Sequence, residues 1–187
     1  MSKRAAFFDR DGVINLDRGY VHTPDEFIWI DGVKDAARRL HEAGYLLFIV
    51  TNQSGIARGM FPEETFLELD RLVRAEFAAS GAPIERTYYC PHHPEAKVAR
   101  YRTVCNCRKP APGMILEAIR EYGLDPRQCV MFGDSARDLD SALSAGVAAR
   151  FLLGKDGKEI PAPCGSSTGT ARNLKEGVAA FLDNPAS

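Results

Sequence analysis

The chain has 187 residues, 45% of them hydrophobic and 26% charged. A chain of this length can bury a full apolar core, so we expect a single domain over residues 1–187 that needs no disulfide support. Lysine and arginine total 24 against 25 acidic residues, which excludes the broad basic surface of a non-specific nucleic-acid binder. No apolar stretch is long enough for a signal peptide or a membrane span. We therefore expect a cytoplasmic protein with no nucleic-acid or membrane partner.

Short apolar runs alternate with helical patterns along the chain. Helical spacing relates Val33, Ala36, Ala37 and Leu40, and a last short helix is expected near residues 174–182. The alternation predicts an α/β fold, a doubly wound parallel sheet with helices on both faces. Five runs have the composition of strands covered on both faces: Ala5 to Phe8, Tyr45 to Val50, Ile84 to Tyr89, Cys129 to Phe132 and Val147 to Leu153.

Three long stretches interrupt this alternation. Residues 10–31 follow the first predicted strand and residues 90–111 follow the third. Loops of this length in a compact domain are usually functional or need their own support. Residues 154–171 are rich in glycine, proline, serine and threonine, which predicts a loose connection to the last helix.

Aspartates follow two of the predicted strands. Asp9 and Asp11 end the first strand, and Asp134 ends the fourth. Residues two apart in an extended segment point the same way, and ligands of a parallel sheet bind beyond the carboxyl ends of its strands. If the two strands are neighbours, the carboxylates converge on a site that suits Mg²⁺. The alternative is that these aspartates form turns or cap helices. This alternative is equally compatible with Asp9 considered by itself, and it is favoured for Asp138.

Candidate phosphate-binding groups follow the second predicted strand and precede the third predicted helix. The segment Thr51-Asn52-Gln53-Ser54-Gly55 offers hydroxyl and amide donors that lead into a glycine turn. Arg108-Lys109-Pro110 supplies fixed positive charge before the third helix. Carboxylates, a lysine, a hydroxyl and Mg²⁺ predict a phosphoryl-transfer site, with Asp9 as nucleophile and Asp11 as acid and base.

These motifs resemble, in order and context, those of the haloacid dehalogenase superfamily of phosphatases. The resemblance covers residues 5 to about 153 and rests on Asp9-Arg10-Asp11-Gly12, Thr51-Asn52-Gln53, Lys109 and Gly133-Asp134. It implies a Rossmann-like sheet of strand order 3-2-1-4-5 and an aspartyl-phosphate intermediate. It also implies Mg²⁺ held by Asp9, the Asp11 carbonyl and Asp134, with Thr51 and Lys109 steadying the phosphoryl group. No large insertion follows the first or second motif, so we expect no large cap domain.

Three further segments resemble the sugar bisphosphate phosphatases of that superfamily: residues 17–22, 52–59 and 89–94. This resemblance implies removal of the 7-phosphate of a heptose 1,7-bisphosphate, in ADP- or GDP-heptose biosynthesis, and leaves the anomer at C1 open. Arg58 could bind the distal 1-phosphate, although a solvated arginine is the alternative. The implied contacts to the sugar bisphosphate are Asp17, Arg18, Gly19, Tyr20, Asn52, Gln53, Ser54 and Arg108.

Cysteine and histidine cluster in the loop after the third strand. Cys90, His92, Cys105 and Cys107 form C-x-H and C-x-C pairs separated by twelve residues. Thiolate and imidazole ligands in this number suit a closed, tetrahedral Zn²⁺ site that is structural and not catalytic. The alternatives are ordinary buried cysteines, or His93 in place of His92.

Other functions stay open from the sequence. A histidinol-phosphate phosphatase or a DNA 3'-phosphatase could be built on the same motifs, and a phosphosugar-binding module without turnover is the alternative from another class. Ser54 after Asn52-Gln53 argues against the first, and the balanced charge against the second. We expect a monomer.

Overall fold

The computed structural model describes residues 3–183 as a parallel sheet with helices on both of its faces. The strand order is β3-β2-β1-β4-β5-β6. Within this part of the chain, the strands are β1 Ala5–Phe8, β2 Leu46–Asn52, β3 Ile84–Cys90, β4 Val130–Gly133, β5 Ala149–Leu153 and β6 Gly169–Ala171. The helices are α1 Val33–Glu42, α2 Ser54–Ala57, α3 Glu63–Ala79, α4 Gly113–Tyr122, α5 Ala136–Ser144 and α6 Leu174–Asp183.

The central strand β1 divides the apolar interior into two cores. Ala6 and Phe8 pack among the buried residues of α1, α3 and α6, whereas Ala5 and Phe7 pack against those of α4 and α5. All four are fully buried, which explains why the run is continuously apolar. Burying one phenylalanine contributes about 1.5–3 kcal/mol, so both faces of this short strand are firmly held.

The pairing of β1 places two of the predicted acidic segments side by side. Phe8 is in register with Phe132 of β4 and with Ile49 of β2, and the Asp9 amide donates to the Phe132 carbonyl at 3.0 Å. The carboxyl ends of β2, β1 and β4 therefore meet at one edge of the sheet.

Most of the predicted architecture is confirmed, and two local predictions are wrong. The order 3-2-1-4-5 holds, but a sixth strand, Gly169–Ala171, lies within the segment expected to be a loose connection. It pairs in parallel with β5 and has only three residues, too few for a period-two pattern. The expected glycine turn at Ser54-Gly55 is a single helical turn, Ser54–Ala57.

The connections after β1 and β2 contain no large inserted unit within the described residues, as expected. Between β1 and α1 the chain forms one 3-10 turn, Pro24–Glu26, and α2 is followed after a short loop by α3. Across residues 3–183, every helix is too short or too polar to cross a membrane.

Candidate active site

A cavity of about 550 Å³ opens at the carboxyl edge of the sheet. It is lined by five carboxylates and five cationic side chains, with hydroxyl and amide groups between them. The acids are Asp9, Asp11, Asp17, Asp134 and Asp138, and the cations are Arg58, Arg108, Lys109, Arg137 and Lys155. The remaining lining residues are Gly19, Tyr20, Thr51, Asn52, Gln53, Ser54, Gly55 and Ser135.

Three of the carboxylates converge closely enough to share one cation. Asp9, Asp134 and Asp138 each offer an oxygen within 4.8 Å of the others. Burial, reinforced by the nearby Asp138 carboxylate, raises the pKa of Asp9 to about 8 and that of Asp134 to about 7. Carboxylates held this close favour a bound cation because it offsets their mutual repulsion. The hard, anionic oxygen donors fit Mg²⁺.

Close backbone approach makes this convergence possible. Gly12 has a φ of +87°, and a β-carbon at this position would lie 2.1 Å from the Asp134 Oδ2 atom. Any larger side chain would push the Asp134 carboxylate away from its position. The glycine that ends the first motif is therefore required by space as well as by backbone conformation.

Lys109 lies between two of these acids. Its Nζ atom is 2.8 Å from Asp9 Oδ1 and 2.7 Å from Asp138 Oδ1, and it also donates to the Val50 carbonyl at 2.8 Å. Although burial favours the neutral amine, the carboxylates of Asp138 and Asp9 raise the pKa of Lys109. The lysine is thus a fixed positive charge next to Asp9.

Asp11 lies beside this cluster and has its own set of donors. Its carboxylate accepts from the guanidinium of Arg10 at 3.0 and 3.2 Å, from Asn15 Nδ2 at 3.0 Å and from Gln53 Nε2 at 3.2 Å. Arg10 is itself buried and donates to the Val21 carbonyl. The side chain between the two acids therefore anchors the Asp11 carboxylate, a contact that the sequence pattern did not indicate.

The segment Thr51-Asn52-Gln53 forms hydrogen bonds both to Asp11 and to the backbone of Lys109. Gln53 Nε2 donates to Thr51 Oγ1 at 2.9 Å, in addition to Asp11. The Asn52 side chain forms two hydrogen bonds to the backbone of Lys109, donating to its carbonyl at 3.1 Å and accepting from its N–H at 3.0 Å. The Thr51 hydroxyl accepts from Gln53 and keeps its own proton to donate into the cavity.

The predicted zinc ligands meet in one cluster. The Sγ atom of Cys107 lies 3.0 Å from that of Cys90, 3.2 Å from that of Cys105 and 3.3 Å from His92 Nδ1. A hydrogen bond with Cys90 lowers the pKa of the Cys107 thiol to about 5. Three sulfur ligands and one imidazole nitrogen within 4.8 Å of one another fit tetrahedral Zn²⁺.

His93 lies outside this cluster and faces the cavity mouth. Its Nε2 atom is 3.5 Å from an Arg58 guanidinium nitrogen, whereas its neighbour His92 contributes Nδ1 to the sulfur cluster. His92, and not His93, is therefore the fourth candidate ligand. The cluster also reaches the cavity, because Arg108 Nη1 donates to the His92 carbonyl at 3.4 Å.

Residues 11–146 match the family model described as a haloacid dehalogenase-like hydrolase. The chain belongs to this family. It is 48% identical, over 84% of each chain, to D-glycero-beta-D-manno-heptose-1,7-bisphosphate 7-phosphatase of Yersinia pestis. It is 46% identical to the protein of the same name from Escherichia coli K12, over 83% of this chain and 81% of that one.

A solved structure of a haloacid dehalogenase-like hydrolase is also similar along nearly the whole chain. It is the D,D-heptose 1,7-bisphosphate phosphatase of B. bronchiseptica, complexed with magnesium and phosphate. Its TM-score is 0.80 at 31% identity, and the match covers 97% of this chain and 99% of that chain. The family membership thus agrees with a metal-binding carboxylate cluster at the edge of the sheet.

The residues predicted for catalysis, magnesium binding and substrate binding line the cavity of this hydrolase, with one exception. Arg18 is exposed and lies outside the lining of the cavity. For Asp138 the sequence favours capping and leaves its role open, and Asp138 does accept from the backbone N–H and hydroxyl of Ser135. It is also buried against Lys109, so capping is only one of its contacts.

Lys155 is a cavity residue that the motifs did not include. It follows β5, within the segment rich in glycine and serine, and its Nζ atom is 2.8 Å from Asp17 Oδ2. The one available indication was its position, because residues just beyond the carboxyl end of a strand face the ligand side of a parallel sheet.

Proposed function

We propose that this chain is a Mg²⁺-dependent phosphatase that removes the 7-phosphate of D-glycero-β-D-manno-heptose 1,7-bisphosphate in heptose biosynthesis. The observation that carries the proposal is the buried contact of Lys109 with Asp9 at the tip of β1, in a chain that is 48% identical to relatives of that name. The β anomer and the 7-phosphate follow from the names of those relatives.

The donor set supports a proposed set of metal ligands. Asp9, Asp134 and the backbone carbonyl of Asp11 would hold Mg²⁺, since Asp9 and Asp134 converge with Asp138 within 4.8 Å and the Asp11 carboxylate is bound elsewhere. The bound ion supplies positive charge that lets a phosphate dianion approach the carboxylates.

Asp9 acts as the nucleophile. A carboxylate oxygen attacks phosphorus as the bond from phosphorus to the sugar oxygen breaks, which leaves an aspartyl-phosphate. Two unit charges 4 Å apart repel by about 4 kcal/mol at an effective dielectric constant of about 20. Lys109 offsets this repulsion, and the Thr51 hydroxyl donates to a phosphoryl oxygen.

Asp11 moves the protons. It donates one to the departing sugar oxygen, and it then accepts a proton from the water that attacks phosphorus and releases inorganic phosphate. Arg10, Asn15 and Gln53 hold its carboxylate from three sides. These contacts orient the acid toward the leaving group without bringing it into the three-carboxylate cluster.

The rest of the lining binds the sugar and its second phosphate. Arg58 and Arg108 lie at the mouth of the cavity and suit the distal 1-phosphate, since a guanidinium can bind phosphate through two N–H groups. Arg18 adds positive charge from the rim. The groups proposed to contact the sugar are Asp17, Gly19, Tyr20, Asn52, Gln53 and Ser54.

We further propose that the protein works in the cytoplasm as a single-domain monomer on a small-molecule substrate, without a nucleic-acid partner. The near-equal numbers of acidic and basic residues support a small substrate over a polyanion.

The test is phosphate release with Mg²⁺ from both anomers of heptose 1,7-bisphosphate, from histidinol phosphate and from a 3'-phosphorylated oligonucleotide. We expect loss of one phosphate from the β anomer at the highest kcat/KM. Preference for another substrate would contradict the proposed specificity and keep the mechanism. Asp9→Asn is the control: turnover should disappear, and an unaltered rate would contradict Asp9 as nucleophile.

A further inference from the structure

Lys155 belongs to a short bridge between two loops at the edge of the sheet. The 3-10 turn Lys155–Gly157 follows β5, and it contacts the loop that follows β1. Asp156 accepts from the Asp17 amide at 2.7 Å and donates its own amide to the Gly12 carbonyl at 3.2 Å. Because β4 lies between β1 and β5, this bridge passes beside the end of β4, where Asp134 lies.

Both oxygens of the Asp17 carboxylate accept a hydrogen bond, one of them from the bridge. Lys155 Nζ lies 2.8 Å from Oδ2, and the Gly19 amide donates to Oδ1 at 3.0 Å. Each oxygen keeps one lone pair that can accept from a ligand. The carboxylate is thus fixed at the cavity wall in an orientation that can accept hydrogen bonds from sugar hydroxyls.

Lys155 and the mouth arginines lie on opposite sides of the nucleophile. Arg58 follows β2 and Arg108 lies in the loop after β3, whereas Lys155 follows β5 on the far side of β1. A bisphosphate held between Asp9 and the arginines would place its distal phosphate away from Lys155. This arrangement gives Lys155 a part in holding the sugar and not the distal phosphate.

From this geometry we infer that Lys155 is a positioning residue that sets the preference for a polyhydroxylated sugar phosphate. It neutralises Asp17 and holds it as the hydroxyl acceptor. The inference rests on the proposed function, because it concerns the same cavity and substrate class. Lys155 pairs with Asp17 and contacts none of Asp9, Asp11 and Lys109, so we expect a phosphate ester without hydroxyl groups to be little affected by its loss.

The experiment compares Lys155→Met with a matched control, Lys158→Met, on two substrates. Lys158 is also exposed, lies outside the cavity lining and is 3.6 Å from Asp156. For the heptose bisphosphate, Lys155→Met should raise KM roughly fivefold, the upper end expected for losing an ion pair whose lysine is largely exposed, with kcat within about twofold. For 4-nitrophenyl phosphate, kcat/KM should stay within about twofold of the wild-type value, since this ester has no hydroxyl for Asp17 to bind.

Two further variants separate positioning from a general structural effect. Lys155→Arg should have a KM for the heptose bisphosphate close to the wild-type value, because a guanidinium can also pair with Asp17. In an Asp17→Asn background, Lys155→Met should add less than about twofold, because the two residues act through one contact. The Lys155 and Lys158 variants should melt within about 2 °C of wild type, as expected for exposed positions.

Several outcomes would overturn the inference. An equal loss of kcat/KM on both substrates would show that Lys155 supports the chemistry or the fold. An unchanged KM for the heptose bisphosphate would show that Lys155 does not position the sugar. An additive effect with Asp17→Asn would place its action elsewhere. If the wild type hydrolyses 4-nitrophenyl phosphate but not the heptose bisphosphate, the proposed function fails and the inference fails with it. A normal wild type with an unaffected Lys155→Met variant contradicts the inference alone.

Discussion

The strand edge and the cysteine loop hold their functional side chains by different means. Asp9 and Asp134 extend directly from β1 and β4, whose residues are fully buried. Between β3 and α4, residues 91–112, the only regular structure is one 3-10 turn, Ala99–Tyr101. There, Cys90, His92, Cys105 and Cys107 converge on one another. The edge is thus stabilised by the core, whereas the loop combines its ligand cluster with a small apolar cluster that includes Ala96 and Tyr101.

The largest expected effect is a loss of catalytic activity at the strand edge without unfolding. Asp9→Asn should lower kcat by roughly 10⁴-fold, because an amide cannot form the phosphoryl-enzyme bond. It should not lower the melting temperature, since it removes one charge from a cluster of converging carboxylates. Steady-state kinetics and a thermal melt test both points. A large fall in melting temperature would mean that the edge depends on this charge after all.

The second prediction concerns the cysteine loop, where we expect the main effect on stability and not on kcat. Cys107→Ser should release zinc and lower the melting temperature by roughly 10 °C, because ligand binding and loop folding are coupled. Metal analysis and a thermal melt measure this, with Cys164→Ser as the control, since Cys164 lies outside the cluster. Full stability without zinc would show that the loop packs independently of its ligands.

A smaller effect is expected at the contact that joins the two regions. The Asn52 side chain binds the Lys109 backbone through both the nitrogen and the oxygen of its amide, and Lys109 follows the cysteine loop in sequence. Asn52→Ala should lower kcat roughly tenfold by loosening Lys109, with zinc content unchanged. Asn173→Ala, away from the cavity lining, is the control. Loss of zinc from Asn52→Ala would mean that the two regions fold as one unit.

The last prediction is a dependence of stability on pH without Mg²⁺. Burial and Asp138 raise the pKa of Asp9 from 3.8 to about 8, so the folded protein binds more protons than the unfolded chain between these values. The free energy of unfolding should therefore fall as pH rises from about 4 to about 8. Urea titrations across this range should show a shallower fall for Asp9→Asn. Identical slopes would show that another group causes the dependence.

The sequence indicated the strand edge better than the connections. Asp9, Asp11 and Asp134 could be placed because a parallel sheet brings the carboxyl ends of its strands to one edge, and the Cys and His spacing located the loop cluster. The contact of Asp138 with Lys109 was not predicted. Capping involves only neighbouring residues and accounts for an aspartate at this position, whereas the contact with Lys109 joins segments that are distant in sequence. Lys155 and the strand Gly169–Ala171 lie in a segment whose composition indicates only a loop.

The two-sided packing of β1 also affects the dynamics of the active site. Phe7 and Phe8 lie in opposite cores, so neither can leave its place without opening one whole side of the molecule. The β1 amides should therefore exchange with deuterium only through global unfolding, while those of residues 93–104 should exchange through local opening. The proposed nucleophile is thus preorganised before substrate arrives, and little binding energy need be spent on arranging Asp9.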